Sequence, residues 1–216
     1  MRGRRHAMDN AAMLPHKFVY LASASPRRVQ LLDQLGVRHQ PLVAGSDENV
    51  ELLEEERTGE LPLDYVRRVA LLKLFAARAR LKRRRLPPAP ILCADTTVAL
   101  GRRIMGKPPS PAAAIEMLGA LSGRTHRVMT AVVVSAGKEW FLDTSISKVR
   151  FAPMSQQTIQ RYVDSGEPRG KAGAYAIQSS IAAWIAHIEG SYTGIMGLPL
   201  HETTTLLSRV RVMMEL

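Results

Sequence analysis

Apolar and polar positions follow two different spacings along the chain, and their order predicts strands interleaved with helices. Apolar, β-prone runs predict strands at residues 18–22, 37–43, 91–100, 127–134, 140–151 and 184–188. Apolar residues at helical spacing predict amphipathic helices at residues 26–35, 63–82, 111–121, 155–165 and from about residue 199. No internal repeat or low-complexity linker interrupts this order, so we expect an α/β fold.

Length and cysteine content limit the class of protein. A chain of 216 residues can bury a sizeable core, and its single cysteine, Cys93, excludes an intramolecular disulfide. No apolar stretch approaches the roughly 18 residues of a membrane span, and the start lacks the apolar segment of a secretion signal. We therefore expect a cytoplasmic enzyme. Residues 1–17 show no periodicity and are predicted to be a disordered extension before a single domain of residues 18–216.

The chain is strongly basic, with a formal net charge of +11. This charge favours an anionic partner such as a nucleotide, a polyphosphate or a nucleic acid. Part of the excess lies in the run Arg78-Ala-Arg-Leu-Lys-Arg-Arg-Arg85, which we interpret as a solvated helix end. Aromatic residues make up only 5% of the chain and do not interleave with this run, which argues against stacking on single-stranded nucleic acid.

Groups that bind phosphate coincide at the predicted strand-to-helix junction Leu21-Ala-Ser-Ala-Ser-Pro-Arg-Arg28. The junction offers serine hydroxyls, helix N-terminal amides and two guanidinium groups. A second interpretation explains the same residues equally well: Ser25 caps the helix, while Arg27 and Arg28 point into solvent. Both interpretations stay open on the sequence alone, because capping and anion binding use the same atoms.

Asp95 is a charge inside the apolar run of residues 91–100. Burying an unpaired carboxylate is costly, so we expect Asp95 at the end of its strand with a cation, a metal or hydrogen bonds. Such a strand-end carboxylate faces the ligand crevice of an α/β fold. The alternative is a structural aspartate that, with Thr96, bonds local backbone amides.

Other polar motifs carry less information. Gly166-Glu-Pro-Arg-Gly170-Lys171 is too short to be a P-loop and lacks its magnesium-binding Ser or Thr. Gly106-Lys107-Pro108 taken alone indicates only an exposed turn. Histidines such as His126 have no partners at triad or metal-ligand spacing and are expected to be structural or exposed.

Taken in order, these segments resemble the Maf family of nucleotide pyrophosphatases. The resemblance covers most of residues 18–210. Its blocks are Leu21-Ala-Ser-Ala-Ser-Pro-Arg-Arg28, Ala94-Asp-Thr96, Gly106-Lys-Pro108, Leu121-Ser-Gly-Arg-Thr-His-Arg-Val-Met-Thr-Ala131, Gly166-Glu-Pro168, Lys171-Ala-Gly-Ala-Tyr175, Ile177-Gln178, Glu189-Gly-Ser-Tyr192 and Gly197-Leu-Pro-Leu200. Each block is weak alone, but the ordered set is specific.

The resemblance implies a fold and a reaction. The fold is similar to that of inosine triphosphate pyrophosphatase: a mixed twisted sheet with flanking helices, and two lobes around a deep cleft. The reaction is house-cleaning hydrolysis of a nucleoside triphosphate between its α and β phosphates, giving the monophosphate and pyrophosphate. A divalent metal cation, Mg²⁺ or Mn²⁺, assists, and the resemblance also suggests a homodimer.

The resemblance also implies residue roles. Asp95 is the catalytic carboxylate, acting as general base or beside the metal. The residues expected to bind the substrate are Ser23, Arg27, Thr96, Gln178, Lys73 and Lys107. Of these, Arg27, Thr96 and Gln178 are the expected specificity positions. Asp47 and Glu48 lie where the family has paired acids and, with Asp95, are candidate metal ligands.

Substrate choice rests on the block Lys171-Ala-Gly-Ala-Tyr-Ala-Ile-Gln178, which resembles the branch acting on dTTP and UTP. A glutamine presents both a donor and an acceptor to the O4 and N3 edge of a uracil-type base. Three residues depart from the family pattern: Gly170 replaces a usual aspartate, and Ala176 and Ser179 replace usual glycines. If either glycine position needs positive φ, the loop beside Gln178 is predicted to be shifted or strained.

Two alternatives stay open. One is a pyrophosphatase for another nucleotide, such as 7-methyl-GTP or a modified pyrimidine triphosphate. The other is a nucleic-acid-binding or cell-division regulator with a vestigial nucleotide site, favoured by the net charge and by the association of the family name with septum formation. The sparse aromatics, and Asp95 inside an apolar strand, argue against the regulator.

Overall fold

The computed structural model describes residues 15–215. The predicted disordered extension, residues 1–17, lies outside that range except for residues 15–17. There, His16 forms a parallel β-bridge with Val212. Its amide donates to the Arg211 carbonyl at 2.8 Å, and its carbonyl accepts from the Met213 amide at 2.9 Å. The first described residues are therefore held against the end of the chain.

The described chain forms a mixed α/β fold, which confirms the predicted class. The strands are β1 (Val19–Leu21), β2 (His39–Pro41), β3 (Ile91–Leu100), β4 (Arg103–Met105), β5 (Thr125–Ala136), β6 (Glu139–Phe151) and β7 (Ile185–Glu189). The helices are α1 (Pro26–Gln34), α2 (Pro62–Arg83), α3 (Pro111–Leu121), α4 (Gln156–Asp164), α5 (Tyr192–Met196) and α6 (Leu200–Arg209). Short 3-10 helices cover Glu51–Glu54, Ala172–Ala174 and Ser180–Trp184.

Helix starts follow from the local sequence. Helices α1, α2 and α3 each begin at a proline, where the missing N–H removes no helical hydrogen bond. Ser110 caps α3 by accepting a hydrogen bond from the Ala113 amide, and Ser155 caps α4 by accepting one from the Thr158 amide. These signals explain why the helical bounds match those expected from the sequence.

The sheet has the strand order β2-β1-β3-β5-β6-β7. Strands β2 and β3 run parallel to β1, whereas β5, β6 and β7 continue as antiparallel neighbours. Strand β5 pairs along one edge of β3. The other edge is shared: β1 pairs with β3 as far as Leu92, and β4 pairs from Val98 onward. Between them, no strand of residues 15–215 pairs with that edge of β3.

The position of Asp95 differs from the expected one. We expected it at the end of a strand, but it is the fifth residue of the ten-residue β3, paired across the ladder with Ala131. The expectation was wrong because the strand continues as the partner of β5. Asp95 still lies beside an open sheet edge, because neither β1 nor β4 pairs with β3 at that position.

The core consists of three apolar clusters. Helix α2 covers one face of the central strands through residues such as Val66, Val69 and Leu74. Helices α1 and α6 cover the opposite face, with Leu32 and Leu207 fully buried. A third cluster joins α3 and α4 to β4 and to the segment of residues 172–181. The cleft lies between this third region and the part built on α1 and α2.

The basic run at the end of α2 is not simply a solvated helix end. Arg80 within it is 3% exposed. Its guanidinium donates to the Leu42 carbonyl at 2.7 Å and to both carboxylate oxygens of Glu48, the shortest distance being 2.6 Å. The prediction was wrong for Arg80, because a bidentate carboxylate and a carbonyl replace its hydration. The ion pair of Arg80 with Glu48 attaches the turn that follows β2 to helix α2.

Five elements of residues 15–215 were not predicted: the three 3-10 helices, the short strand β4 and the five-residue helix α5. Each is too short to show a period in the sequence. Among the helices of residues 15–215, none has the length and apolar character needed to cross a bilayer.

An aromatic cluster anchors the segment that follows α4. His126 is 2% exposed, and its Nε2 lies 2.7 Å from the Tyr175 hydroxyl. The rings of His126, Phe151 and Tyr175 lie 5.0–5.4 Å apart between centroids. Burial lowers the pKa of His126 to about 4, because the apolar surroundings disfavour the imidazolium.

This pKa shift predicts an acid-sensitive term in the free energy of unfolding. The unfolded chain binds a proton at its ordinary pKa, whereas folded His126 does not, so stability should fall as the pH drops from about 6.5 to about 4. The full effect is about 3 kcal/mol. Urea denaturation at a series of pH values would measure it. The variant His126→Gln keeps a hydrogen-bond partner for Tyr175 but does not titrate, so its free energy of unfolding should fall less between these pH values. A fall as large as that of the wild type would contradict the assignment.

Candidate functional site

A cleft of about 590 Å³ opens where the edge of β3 is free. Its size is that of a small-molecule site. Six basic and two acidic side chains line it: Arg27, Arg28, Lys73, Arg80, Lys107 and Lys171, with Glu54 and Asp95. All predicted substrate-binding residues also lie in its wall: Ser23, Arg27, Lys73, Thr96, Lys107 and Gln178. The cleft therefore brings together residues that are up to 155 positions apart in the sequence.

An alternating chain of charges occupies one wall of the cleft. Lys73 on α2 donates to Asp95 Oδ1 at 2.5 Å and to Glu54 Oε1 at 2.7 Å. Lys107, after β4, donates to the other oxygen of Glu54 at 2.5 Å. The Asp95 side chain is only 8% exposed, so Lys73 supplies the cation that a buried carboxylate requires.

Neighbouring opposite charges decide the protonation states of Lys73 and Glu54. Burial lowers the pKa of Lys73, but the charges of Asp95 and Glu54 outweigh burial, and the net pKa is raised. Burial raises the pKa of Glu54, but Lys73 and Lys107 outweigh it, and the net pKa is lowered. Both Lys73 and Glu54 are therefore charged at neutral pH.

Thr96 points to the opposite face of the sheet from Asp95, because side chains alternate along a strand. The Thr130 hydroxyl donates to the Gly194 carbonyl at 2.7 Å, which uses its single proton. At 2.9 Å, the Thr96 hydroxyl must therefore donate to Thr130. Arg28 in turn donates to Thr96 at 3.4 Å. Thr96 thus helps to hold Arg28 at the cleft.

Helix α1 presents its N-terminus to the cleft. Ser25 precedes it but makes no capping hydrogen bond with its side chain, so that half of the sequence interpretation is wrong. Arg28 donates to Ser23 Oγ at 3.1 Å and to the Gly197 carbonyl at 2.8 Å. Burial lowers the pKa of Arg28, and the charge of Asp95 opposes that effect. Within residues 15–215, the Arg27 guanidinium has no hydrogen-bond partner and is available to a ligand.

The segment that carries Gln178 is shaped at Gly173, not at the substituted glycine positions. Gly173 has φ +68°, and a Cβ there would lie 2.9 Å from Val98, so no larger residue fits. Neither Ala176 nor Ser179 has positive φ. The predicted strain at these two residues is therefore absent, and the Ser179 hydroxyl instead donates to the Ala176 carbonyl at 2.8 Å. Gln178 itself is exposed in the cleft wall.

The acidic turn after β2 binds arginines. Glu48 accepts from Arg80 and Arg83, which lowers its pKa to about 2. Asp47 lies 3.3 Å from Arg83, and its side chain is 67% exposed. Neither acid belongs to the described cleft wall, so a metal-binding role for Asp47 and Glu48 stays a prediction.

The carboxylates of the described chain do not form a complete metal site on their own. Within residues 15–215, no group of three or more His, Cys, Asp or Glu side chains is placed to hold a metal ion. Asp95 nevertheless keeps Oδ2 without a hydrogen-bond partner in that part of the chain. Mg²⁺ is commonly held by one or two carboxylates together with substrate phosphates. Asp95 therefore fits a metal that arrives with a polyphosphate.

Sequence reasoning missed two residues of this site. Glu54 lies in the run Glu51-Leu-Leu-Glu-Glu-Glu56, where nothing distinguishes it from solvated neighbours. Arg28 was part of the recognised junction but was not singled out, although it is the arginine that bonds three cleft residues. The arrangement as a whole can bind an anionic chain of phosphates and place a carboxylate beside it.

Comparisons with known proteins agree with this chemistry. A family model described as "Maf-like protein" matches residues 18–210. The chain is 61% identical over 190 residues to a dTTP/UTP pyrophosphatase of Polaromonas sp. (strain JS666), covering 88% of this chain and 94% of the relative. It is 56% identical over 191 residues to a protein of the same name from Albidiferax ferrireducens, covering 88% and 96%. A third dTTP/UTP pyrophosphatase, from Cupriavidus pinatubonensis, is 56% identical over 197 residues, covering 91% and 98%. The chain belongs to the Maf family.

Proposed function

We propose that this protein hydrolyses dTTP and UTP to the nucleoside monophosphate and pyrophosphate. The observation that carries the proposal is the buried Asp95–Lys73 pair in a cleft lined by cations. The names of the three relatives, together with their identity and coverage, support the same substrates. The expected homodimer and cytoplasmic location stay predictions.

Asp95 is the general base in this proposal. A water oxygen forms a bond to the α phosphorus, and the bond from that phosphorus to the oxygen bridging to the β phosphate breaks. Asp95 accepts the proton of the water, and the bridging oxygen leaves as part of pyrophosphate. Lys73 and Lys107 neutralise charge that accumulates on the leaving group, and Arg27 holds the phosphates by paired hydrogen bonds.

A divalent metal, Mg²⁺ or Mn²⁺, belongs to the proposal as a cofactor. The substrate phosphates would supply most of its ligands, and the charge of Asp95 would help to hold it, with the free oxygen left to accept the proton of water. When bound, the metal would neutralise the polyphosphate and lower the pKa of water. Asp47 and Glu48 would have to exchange their arginines for the metal in order to contribute.

Gln178 is the proposed reader of the base. Its side chain lies in the cleft wall and has no hydrogen-bond partner within residues 15–215, so both its donor and its acceptor are available to the ligand. A uracil-type edge presents a complementary N3–H donor and O4 acceptor. Arg28, which donates a hydrogen bond to Thr96, also lines the cleft.

The first test is a pyrophosphate-release assay with a panel of nucleoside triphosphates in Mg²⁺ and in Mn²⁺. We expect the highest kcat/KM with dTTP and UTP. Purified, folded protein that releases no pyrophosphate from either nucleotide would overturn the proposal. A clear preference for 7-methyl-GTP would assign a different base specificity.

Replacing Asp95 by Asn should lower kcat by about 10²-fold or more, because the amide cannot accept the proton of water. The same assay measures the loss, and circular dichroism checks the fold. Asp33→Asn is a matched control: it makes the same change at a 64% exposed carboxylate on α1. Normal turnover by the Asp95 variant would remove Asp95 from its proposed role.

Replacing Gln178 by Glu should raise the KM for dTTP and UTP by about tenfold. A carboxylate lacks the amide donor, and loss of one hydrogen bond to the base weakens binding by about that factor. Competition between nucleotides in the release assay would show the shift in preference. Gln157→Glu on α4 is the matched control, since its exposed side chain lies outside the cleft wall. Unchanged selectivity in the Gln178 variant would mean that the base is read elsewhere.

A further inference from the structure

Glu54 holds an unusual position for an acidic residue in an anion-binding cleft. Its two carboxylate oxygens are 2.7 Å from Lys73 and 2.5 Å from Lys107. These are two of the cations assigned to the substrate phosphates. Its side chain is only 22% exposed, so the two ion pairs replace a large part of its hydration.

The backbone of Glu54 is fixed by α2. Tyr65 donates its hydroxyl to the Glu54 carbonyl at 2.9 Å. Arg68 donates to the Glu55 carbonyl at 2.9 Å and lies in a salt bridge with Glu60 at 2.6 Å. The segment of residues 51–60 is therefore tied to the helix that carries Lys73. These hydrogen bonds hold the Glu54 backbone beside α2, and the two lysines hold its carboxylate.

A carboxylate between two ammonium groups has the chemistry of a phosphate between the same groups. Both are anions with oxygens that accept charge-assisted hydrogen bonds. Lys73 keeps one N–H and Lys107 keeps two beyond those given to Glu54 and Asp95, so a substrate phosphate can contact both lysines. The negative charge of Glu54 beside them opposes that phosphate until the carboxylate is displaced. Breaking the two ion pairs of Glu54 costs free energy, which reduces the net affinity of any ligand that binds there.

We propose that Glu54 is a specificity-determining residue that competes with phosphate for Lys73 and Lys107. This inference rests on the proposed function for the identity of the substrate. A triphosphate carries enough charge to displace Glu54 from both lysines. Pyrophosphate gains less from the rest of the site because it lacks the nucleoside, so Glu54 returns to the lysines and favours release of that product.

The test compares Glu54→Gln with the wild type. The amide keeps the shape but removes the charge, so inorganic pyrophosphate in the presence of Mg²⁺ should bind about tenfold more tightly by calorimetry. The KM for dTTP should also fall, because the substrate phosphates meet the same weaker competition. Glu55→Gln is the matched control, because it removes the same charge from an exposed neighbour outside the cleft wall.

A second variant keeps the test independent of any folding defect in the first. Glu54→Asp keeps the charge but is one methylene shorter and cannot span both lysines, so the affinity for pyrophosphate should rise by a smaller factor. Unchanged or weaker binding of pyrophosphate in both variants would overturn the inference. A higher requirement for Mg²⁺ together with a higher KM would also overturn it, because Glu54 would then hold the metal.

The calorimetric measurement needs no turnover. If the wild type hydrolyses neither dTTP nor UTP, the proposed function fails while pyrophosphate binding still decides the role of Glu54. If hydrolysis is found and the Glu54 variants bind pyrophosphate like the wild type, only the inference about Glu54 fails.

Discussion

The ion pair of Asp95 with Lys73 is the constraint on which the rest of the site depends. A carboxylate that is 8% exposed in the centre of a sheet is costly without a cation, and α2 supplies one at 2.5 Å. This requirement fixes α2 over β3 and brings Glu54 and Lys107 to the same place. A buried ion pair adds little net stability compared with well-packed apolar residues, so its presence indicates chemistry more than stability.

The break in the sheet turns this pair into a site. Strand β3 needs β5 along one edge to hold Asp95 in register, but a complete second edge would seal the carboxylate inside the fold. Because β1 leaves β3 at Leu92 and β4 joins it at Val98, one edge stays open over the residues between them. Alternation along β3 then directs Asp95 toward α2 and Thr96 toward α1, so one ligand can contact residues on both faces.

Among residues 15–215, the sequence predicted every strand except β4 and every α-helix except α5, because each of these carries several periodic residues or a capping signal. Asp95 and Lys107 could be assigned to a site because ordered blocks surround them. Glu54 could not, since its neighbours are also glutamates and only the fold distinguishes the one that faces two lysines. Arg80 was misjudged for a related reason: a helical pattern does not reveal that Glu48 lies beneath it.

The substitutions beside Gln178 are tolerated for a reason that only backbone geometry supplies. The left-handed turn of this segment lies at Gly173 and Ala174, while Ser179 has φ −91°. A side chain at Ser179 therefore costs no strain, and its hydroxyl lies 2.9 Å from that of Tyr162. The added hydroxyl thus ties the segment to α4 and leaves the Gln178 side chain unbound. Rigidity of the backbone and freedom of the base-reading side chain are compatible here because different residues provide them.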